Sequence, residues 1–390
     1  MVVGVQTTAI ARLAESFFKP ALAGIVPYEP GKPAEEVQRE LGLERVVKLA
    51  SNEGPFGPFP AAQEALADGV GELNRYPDGG FYRLRQALAE RHGVGPENVA
   101  PASGADGVVM YLSLACLDPG DEIVCGWPSF PSYVLDALKL GAMATRVPLR
   151  EDRYDLEAML GAVGGRTKLV YVCNPNNPTG RMVTRTELDA YFGRVPEHVL
   201  TVLDEAYFEY VERPDYPDGI EEYVKAGCRA VVLRTFSKIY GLAGLRVGYG
   251  VGPAEVVRAI RKVQNAFDVT QPAQDAALAS LNHHHEISRR RKANADGRAT
   301  LEHGLAELGL RVAAEPVGNF VFAELDGDAR PLFEALLREG VIVRPLHGFG
   351  APQAIRVSVG TAEECRLCLE ALARVLAEDP GLRRGEPARG

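Results

Sequence analysis

TFSKIYGLAGLRVGY, residues 235–249, begins at the last residue of the apolar, β-branched run Ala230-Val231-Val232-Leu233-Arg234-Thr235 and places Ser237 and Lys238 immediately beyond it. A lysine leaving a buried strand is poorly placed for solvation. Eight residues later Arg246 leads into a second apolar, glycine-bearing run, Val247-Gly248-Tyr249-Gly250. A hydroxyl, an amine and a guanidinium gathered in this way suit a phosphate-bearing cofactor held through a Schiff base. A lone lysine after a strand is more often a surface residue, so the weight falls on two further segments upstream.

The first is NPNNPTG, residues 174–180, which follows the run Lys168-Leu169-Val170-Tyr171-Val172-Cys173. Two prolines and a glycine among three asparagines cannot extend a strand, so the chain turns there and projects amide side chains from the strand's C-terminal end. The second is LDEAYFEY, residues 203–210, after Val199-Leu200-Thr201-Val202-Leu203. Asp204 stands where this core strand ends, and a carboxylate there is costly to bury unless it meets a cation such as a protonated pyridine nitrogen. An aspartate capping a helix is the plainer alternative. Tyr207, three residues on, is placed to reach the same site. All three strands deliver polar residues at their C-terminal ends, the edge at which open parallel α/β sheets bind ligands.

Strands alternate with helical runs from about residue 51 to 285, which predicts a mostly parallel sheet covered by helices. A long helix is expected over about 286–309. After it come short strands around 319–322, 341–344 and 355–359, so residues 286–377 read as a smaller α+β domain. Residues 1–50 read as an arm and joining segment, with Ile10, Leu13, Phe17 and Phe18 on one helical face. Residues 378–390, rich in Pro, Gly and Arg, read as a frayed tail. At 390 residues the chain exceeds one ordinary core.

Composition narrows the function classes. The formal net charge of −9 argues against nucleic-acid binding and against a regulator with an added basic DNA-binding domain. The opening MVVGVQTTAIARLAESFF has no basic segment followed by a long apolar core, and no apolar run is long enough to span a bilayer. A cytoplasmic location is therefore expected. The 6 cysteines are scattered, which suits reduced, buried thiols. Cys365 and Cys368 share a helical face with Leu372 and Val375 behind a Thr361/Glu364 capping box, so packing is expected of them rather than metal or redox chemistry. His283-His284-His285 and Arg289-Arg290-Arg291-Lys292 read as solvated helix surface, and no metal site is expected.

Taken together the motifs resemble the fold-type I aminotransferases that use pyridoxal 5'-phosphate, and within them the histidinol-phosphate aminotransferase branch. Beside the three segments above, the resemblance is carried by LASNEGPFGP (49–58), RYPDGG (75–80), SGADGVV (103–109), VGNF (317–320), VIVRPL (341–346) and IRVSVGT (355–361). It implies a large domain with a mostly parallel sheet flanked by helices plus a smaller α+β domain, and transfer of an amino group between L-histidinol phosphate and 2-oxoglutarate. An aromatic amino-acid aminotransferase and a threonine-phosphate decarboxylase share most of these motifs and stay open as alternatives. The resemblance implies that Lys238 forms the Schiff base and moves the substrate Cα proton, and that Asp204 pairs with the ring nitrogen. It puts Asn177 and Tyr207 on the ring oxygen, and Ser237, Arg246, Gly104, Ala105 and Asp106 on the phosphate, the last three at a helix N-terminus. Phe130 would lie against the ring, where many relatives have tyrosine. Tyr76 would reach the cofactor phosphate of a partner subunit, and Tyr28 the partner's substrate. Asn52, Arg344 and Arg356 would bind substrate, the arginines at its anionic end. Gly54, in SNEGP, stands where many relatives carry an amide, which the resemblance places near the substrate. A homodimer with shared sites is implied.

Overall fold

The computed structural model describes residues 17–27 and 31–385. The strands in chain order are β1 Val47–Lys48, β2 Val99–Ala102, β3 Glu122–Trp127, β4 Met143–Pro148, β5 Thr167–Cys173, β6 Leu200–Asp204, β7 Ala230–Thr235, β8 Gly248–Val251, β9 Arg311–Val312, β10 Phe320–Glu324, β11 Val341–Ile342, β12 Arg344–Leu346 and β13 Ala351–Ser358. Seven of them form one sheet in the order β2-β8-β7-β6-β5-β3-β4, parallel except for β8, which runs antiparallel to both its neighbours. Strands β6 and β7 are buried along their whole length and β5 along nearly all of it. Their near-continuous Val/Leu/Ala runs are what a parallel sheet covered on both faces requires.

Register fixes where the motifs meet. Cys173 of β5 lies opposite Asp204 of β6, and Asp204 opposite Leu233 of β7. The backbone then continues the ladder, with Asn174 N–H donating to Asp204 C=O at 2.9 Å and Glu205 N–H to Leu233 C=O at 3.0 Å. The three polar turns therefore leave adjacent strands at the same edge. Gly248 of β8, opposite Thr235, brings a fourth element to that edge. A Cβ there would stand 2.4 Å from the Ala105 nitrogen, so only glycine lets the helix Gly104–Cys116 start against the sheet.

A second, antiparallel sheet has the order β12-β13-β10-β9, and β1 pairs with β11 in parallel. Its core, with Leu301, Leu305, Val321, Ile355, Val357, Leu372 and Leu376, is separate from that of the large sheet. The helix His284–Glu307 joins the two, with Ile287 in the large core and Leu301 and Leu305 in the small one. The helix Ala362–Glu378 has the Thr361/Glu364 capping box and buries Cys365, Cys368, Leu372 and Val375, as its sequence pattern predicts.

The chain end differs from the frayed tail expected from residue 378. Pro380–Arg384 forms a 3₁₀ turn in which Asp379 accepts from the Gly381 N–H, and Leu382 is buried in the small core. One apolar side chain with a core to enter outweighs the local Pro/Gly composition. At the other end, Ile10 and Leu13 lie outside the described residues, while Phe17, Phe18, Leu22 and Val26 are exposed around the 3₁₀ turn Pro20–Leu22. Among the described residues no helix is long and apolar enough to cross a membrane, no group of acidic, His or Cys side chains is arranged for a metal ion, and all six cysteines are unpaired.

Candidate active site

A cavity of about 160 Å³ opens at the C-terminal edge of β5, β6 and β7. It gathers Asn52, Ala105, Asp106, Phe130, Asn177, Asp204, Tyr207, Ser237, Lys238, Arg246 and Arg356, all of them expected from the sequence. Ser51, Cys173, Ala206, Thr235 and Phe349 complete its wall.

Lys238 follows the end of β7. Its Nζ lies 3.3 Å from the Asn52 carbonyl oxygen and 5.4 Å from the centre of the Tyr207 ring. Burial, with the neighbouring Arg356 and Arg246 charges, brings its ammonium down to about 8. The neutral amine, the form a nucleophile requires, is thus reached at far lower pH than for an exposed lysine.

Asp204 ends β6 with 5% of its surface exposed. Each carboxylate oxygen has one protein donor: the Tyr133 hydroxyl at 2.5 Å from Oδ2 and the Ala206 N–H at 3.1 Å from Oδ1. The second contact is an Asx-type turn rather than a helix cap. Burial pushes this carboxyl up, and the two donors oppose it.

In the 174–180 turn only one of three asparagines lines the cavity. Asn174 closes the turn through Val183 N–H at 2.9 Å and Val183 C=O at 3.1 Å, and Asn176 braces it on Thr179 Oγ1 at 3.0 Å. Asn177 faces the cavity, its Oδ1 accepting from Arg356 at 2.5 Å.

A cup for an anion lies beside Lys238. Thr235 Oγ1 donates to Ser237 Oγ at 3.0 Å, and the Arg246 guanidinium lies against both Ser237 and the first turn of the helix Gly104–Cys116. At Gly104, with φ +82°, a Cβ would stand 2.8 Å from Arg246 Nη2. The helix N-terminus and the guanidinium can share one ligand only because this side chain is missing.

Asn52 is a junction more than a wall. Its left-handed backbone (φ 53°) lets its N–H donate to Ser358 Oγ at 2.8 Å while its Nδ2 donates to the Tyr207 hydroxyl at 2.8 Å. Its carbonyl accepts from Asn319 Nδ2 at 3.1 Å as well as from Lys238. The two sheets thus meet at the residues that surround the lysine.

Three residues named from the sequence lie outside this cavity. Arg344, opposite Arg356 in the β12–β13 register, lines a neighbouring cavity of about 730 Å³ with Trp127, Arg146, Arg330 and His347, not the cavity of Lys238. The register irregularity of this strand pair, at Pro345/Leu346, lies just beyond the two arginines. Tyr76 is 82% exposed and stacks on Phe267, with ring centres 4.6 Å apart, away from the cavity of its own chain. Gly54 faces the Lys238 carbonyl and the Tyr210 hydroxyl and is not part of the cavity wall. Tyr28 lies outside the described residues. Sequence reading missed Thr235, Phe349 and Tyr133; of these only Tyr133 had a local signal, one helical turn beyond Phe130.

The profile of the family described as aminotransferase class I and II matches residues 44–372, and the chain belongs to that family. Among curated proteins it is 45% identical over 358 residues to the histidinol-phosphate aminotransferase of Moorella thermoacetica, covering 92% of each chain. It is 43% identical over 357 residues to histidinol-phosphate aminotransferase 2 of Carboxydothermus hydrogenoformans, covering 91% of this chain and 98% of the other. Its fold matches the crystal structure of histidinol-phosphate aminotransferase from Sinorhizobium meliloti in complex with pyridoxal-5'-phosphate, with a TM-score of 0.82, 29% identity and 95% and 99% of the two chains covered. It also matches the Thermus thermophilus aspartate aminotransferase with maleate, with a TM-score of 0.78, 28% identity and 88% and 97% covered.

Proposed function

We propose that this chain is a pyridoxal-phosphate-dependent histidinol-phosphate aminotransferase, moving an amino group between L-histidinol phosphate and 2-oxoglutarate in histidine biosynthesis. The observation that carries the reading is the meeting, in one cavity, of a lysine poised near neutrality, a buried carboxylate and an anion cup built on Gly104. The identity of 45% with a named histidinol-phosphate aminotransferase supports the substrate, since the fold alone is shared with an aspartate aminotransferase.

The cup fits a phosphate dianion: the Arg246 guanidinium, the Ser237 hydroxyl, itself held by Thr235, and the N-terminus of the helix Gly104–Cys116 would supply donors, with Asp106 at the rim. When bound, pyridoxal phosphate supplies a cationic ring that accepts the electron pair left at the substrate Cα. The remaining work falls to the chain. Lys238 holds the cofactor covalently, then takes and returns the Cα proton through Nζ. Asp204 keeps the ring nitrogen protonated as its ion-pair partner. Asn177 and Tyr207 hydrogen-bond the ring oxygen, the Tyr207 hydroxyl being oriented by Asn52. Phe130 would lie along the ring and Arg356 would take the anionic end of the substrate. Arg344 serves that end from the adjoining cavity.

The reading includes a cytoplasmic homodimer. Val70, Leu73, Tyr76, Tyr82, Met110, Leu114 and Phe267 are exposed large apolar side chains that a partner subunit could cover, and the expected partner-reaching Tyr76 is among them. It also includes a boundary between large and small domains near residue 285, supported by the passage of the helix His284–Glu307 from one core to the other.

A single-turnover donor panel tests the substrate. Holoenzyme mixed with histidinol phosphate, phenylalanine, tyrosine, glutamate or threonine phosphate should lose its cofactor absorbance fastest with histidinol phosphate, by about tenfold in apparent second-order rate, equivalent to about 1.4 kcal/mol. Preference for an aromatic amino acid or for threonine phosphate would reassign the substrate. Lys238→Ala should abolish the borohydride-reducible link to the cofactor.

A further inference from the structure

Tyr133 is fully buried in the helix Pro131–Lys139 and is absent from the cavity wall, yet its hydroxyl makes a 2.5 Å hydrogen bond to Asp204 Oδ2. The ring is held in a slot. Tyr171 stacks on it at 4.4 Å and 12°, and Phe130 meets it edge-on at 5.5 Å and 77°. Tyr171 is tied by its own hydroxyl to Ser113 Oγ at 3.4 Å. A phenylalanine would fill the same slot, so the hydroxyl must be explained by what it touches.

Asp204 has one fixed donor on each oxygen, which sets the carboxylate plane and leaves the remaining lone pairs for one further donor from the cavity. Burial favours the neutral acid at this position, and a protonated carboxyl can no longer be the charged partner of a ring N–H. A donor on Oδ2 favours the carboxylate instead. The Tyr133 phenol is itself held well above its ordinary range by burial and by the Asp204 charge, so it stays protonated and remains a donor.

We propose that Tyr133 is a positioning residue for the reaction, its hydroxyl orienting the Asp204 carboxylate and keeping it anionic so that it grips the ring nitrogen of the cofactor. This rests on the assignment of Asp204 above.

The test compares two ligands on ligand-free protein. Binding of pyridoxal phosphate and of its deaza analogue, in which C–H replaces the ring nitrogen, is measured by equilibrium dialysis for wild type and Tyr133→Phe. Hydrogen bonds to charged groups are worth enough for the variant to lose about tenfold or more in affinity for pyridoxal phosphate. Affinity for the deaza analogue, which has no N–H for Asp204 to accept, should stay within about twofold, the scatter expected of an uncoupled contact. In an Asp204→Asn background the Tyr133→Phe loss should disappear. Equal losses for both ligands would make Tyr133 a packing residue and overturn the proposal, as would no loss with either or full additivity with Asp204→Asn. Should Tyr133→Phe not fold, Tyr133→Met removes the donor by another route and must show the same selective loss. Wild-type protein that failed to bind pyridoxal phosphate at all would overturn the functional reading itself, a result the wild-type arm reports separately.

Discussion

Burial and two nearby guanidinium groups bring the Lys238 ammonium from an ordinary 10.5 to about 8, and this gap has a sign for stability. The folded protein binds fewer protons than the unfolded chain between those values. Stability therefore rises with pH through that window, and below about pH 8 the cost of burying the charged amine is fully present. The gap corresponds to about 3 kcal/mol. Lys238→Met, which has no charge to bury, should make the ligand-free protein more stable than wild type by up to that amount below pH 8, with the difference fading by pH 10.5. Urea unfolding of both proteins across that range measures it, and a pH-independent difference would remove Lys238 from its buried setting. The same residue illustrates what sequence can reveal. Lys238, Asp204 and Asn177 stand out because a polar group ending an apolar strand needs a reason, and the reason is local. Tyr133 meets Asp204 across 71 positions of sequence, and its one local mark, a place one helical turn beyond Phe130, does not point to that carboxylate. Arg344 and Arg356 both alternate with apolar neighbours and pair directly across β12–β13, yet they line different cavities, a difference their local sequence does not encode.

At the level of elements, the site depends on how closely the helix Gly104–Cys116 approaches the sheet. Gly248 permits the approach and Gly104 leaves room for Arg246. Gly104→Ala should strain a left-handed residue by about 1–2 kcal/mol and push the guanidinium off the helix N-terminus. Affinity for pyridoxal phosphate should fall by about tenfold or more, as expected for a charge-assisted contact. Affinity for pyridoxal, which has no phosphate, should change little. Dialysis with both ligands decides; parallel losses would mean that the anion cup is not where the phosphate binds. The strand–helix alternation of the large sheet was legible because fully buried parallel strands read as unbroken apolar runs. The turn Pro380–Arg384 was not, because its order comes from Leu382 entering a core assembled from several segments of the small domain, Leu301, Val321, Leu336 and Leu372 among them, a contact that local composition does not encode.

For the whole molecule, the proposed homodimer makes each site the work of two chains. Tyr76, stacked on Phe267, lies outside the cavity of its own chain, so in the proposed dimer its contribution would go to the partner. Mixing Lys238→Ala with Tyr76→Ala under subunit-exchange conditions should restore up to about half of the activity per heterodimer, since one of its two sites is then complete. No recovery after proven exchange would mean that each chain builds its site alone. Within one chain, the helix His284–Glu307 has a mechanical consequence. Its 24 residues span about 36 Å. Near one end Arg290 donates to the carbonyls of Ile239, beside Lys238, and of Gly57, at 3.0 and 2.8 Å. Further along, Asn294 and Arg298 grip the carbonyl of Gly318, next to Asn319, at 3.2 and 3.0 Å. The helix is a lever with its fulcrum at the lysine turn. From Arg290 to Glu307 the arm is about 26 Å, so a tilt of about 5° at the lysine turn would sweep its far end through about 2 Å, and a small rotation beside the amine would be felt throughout the small core.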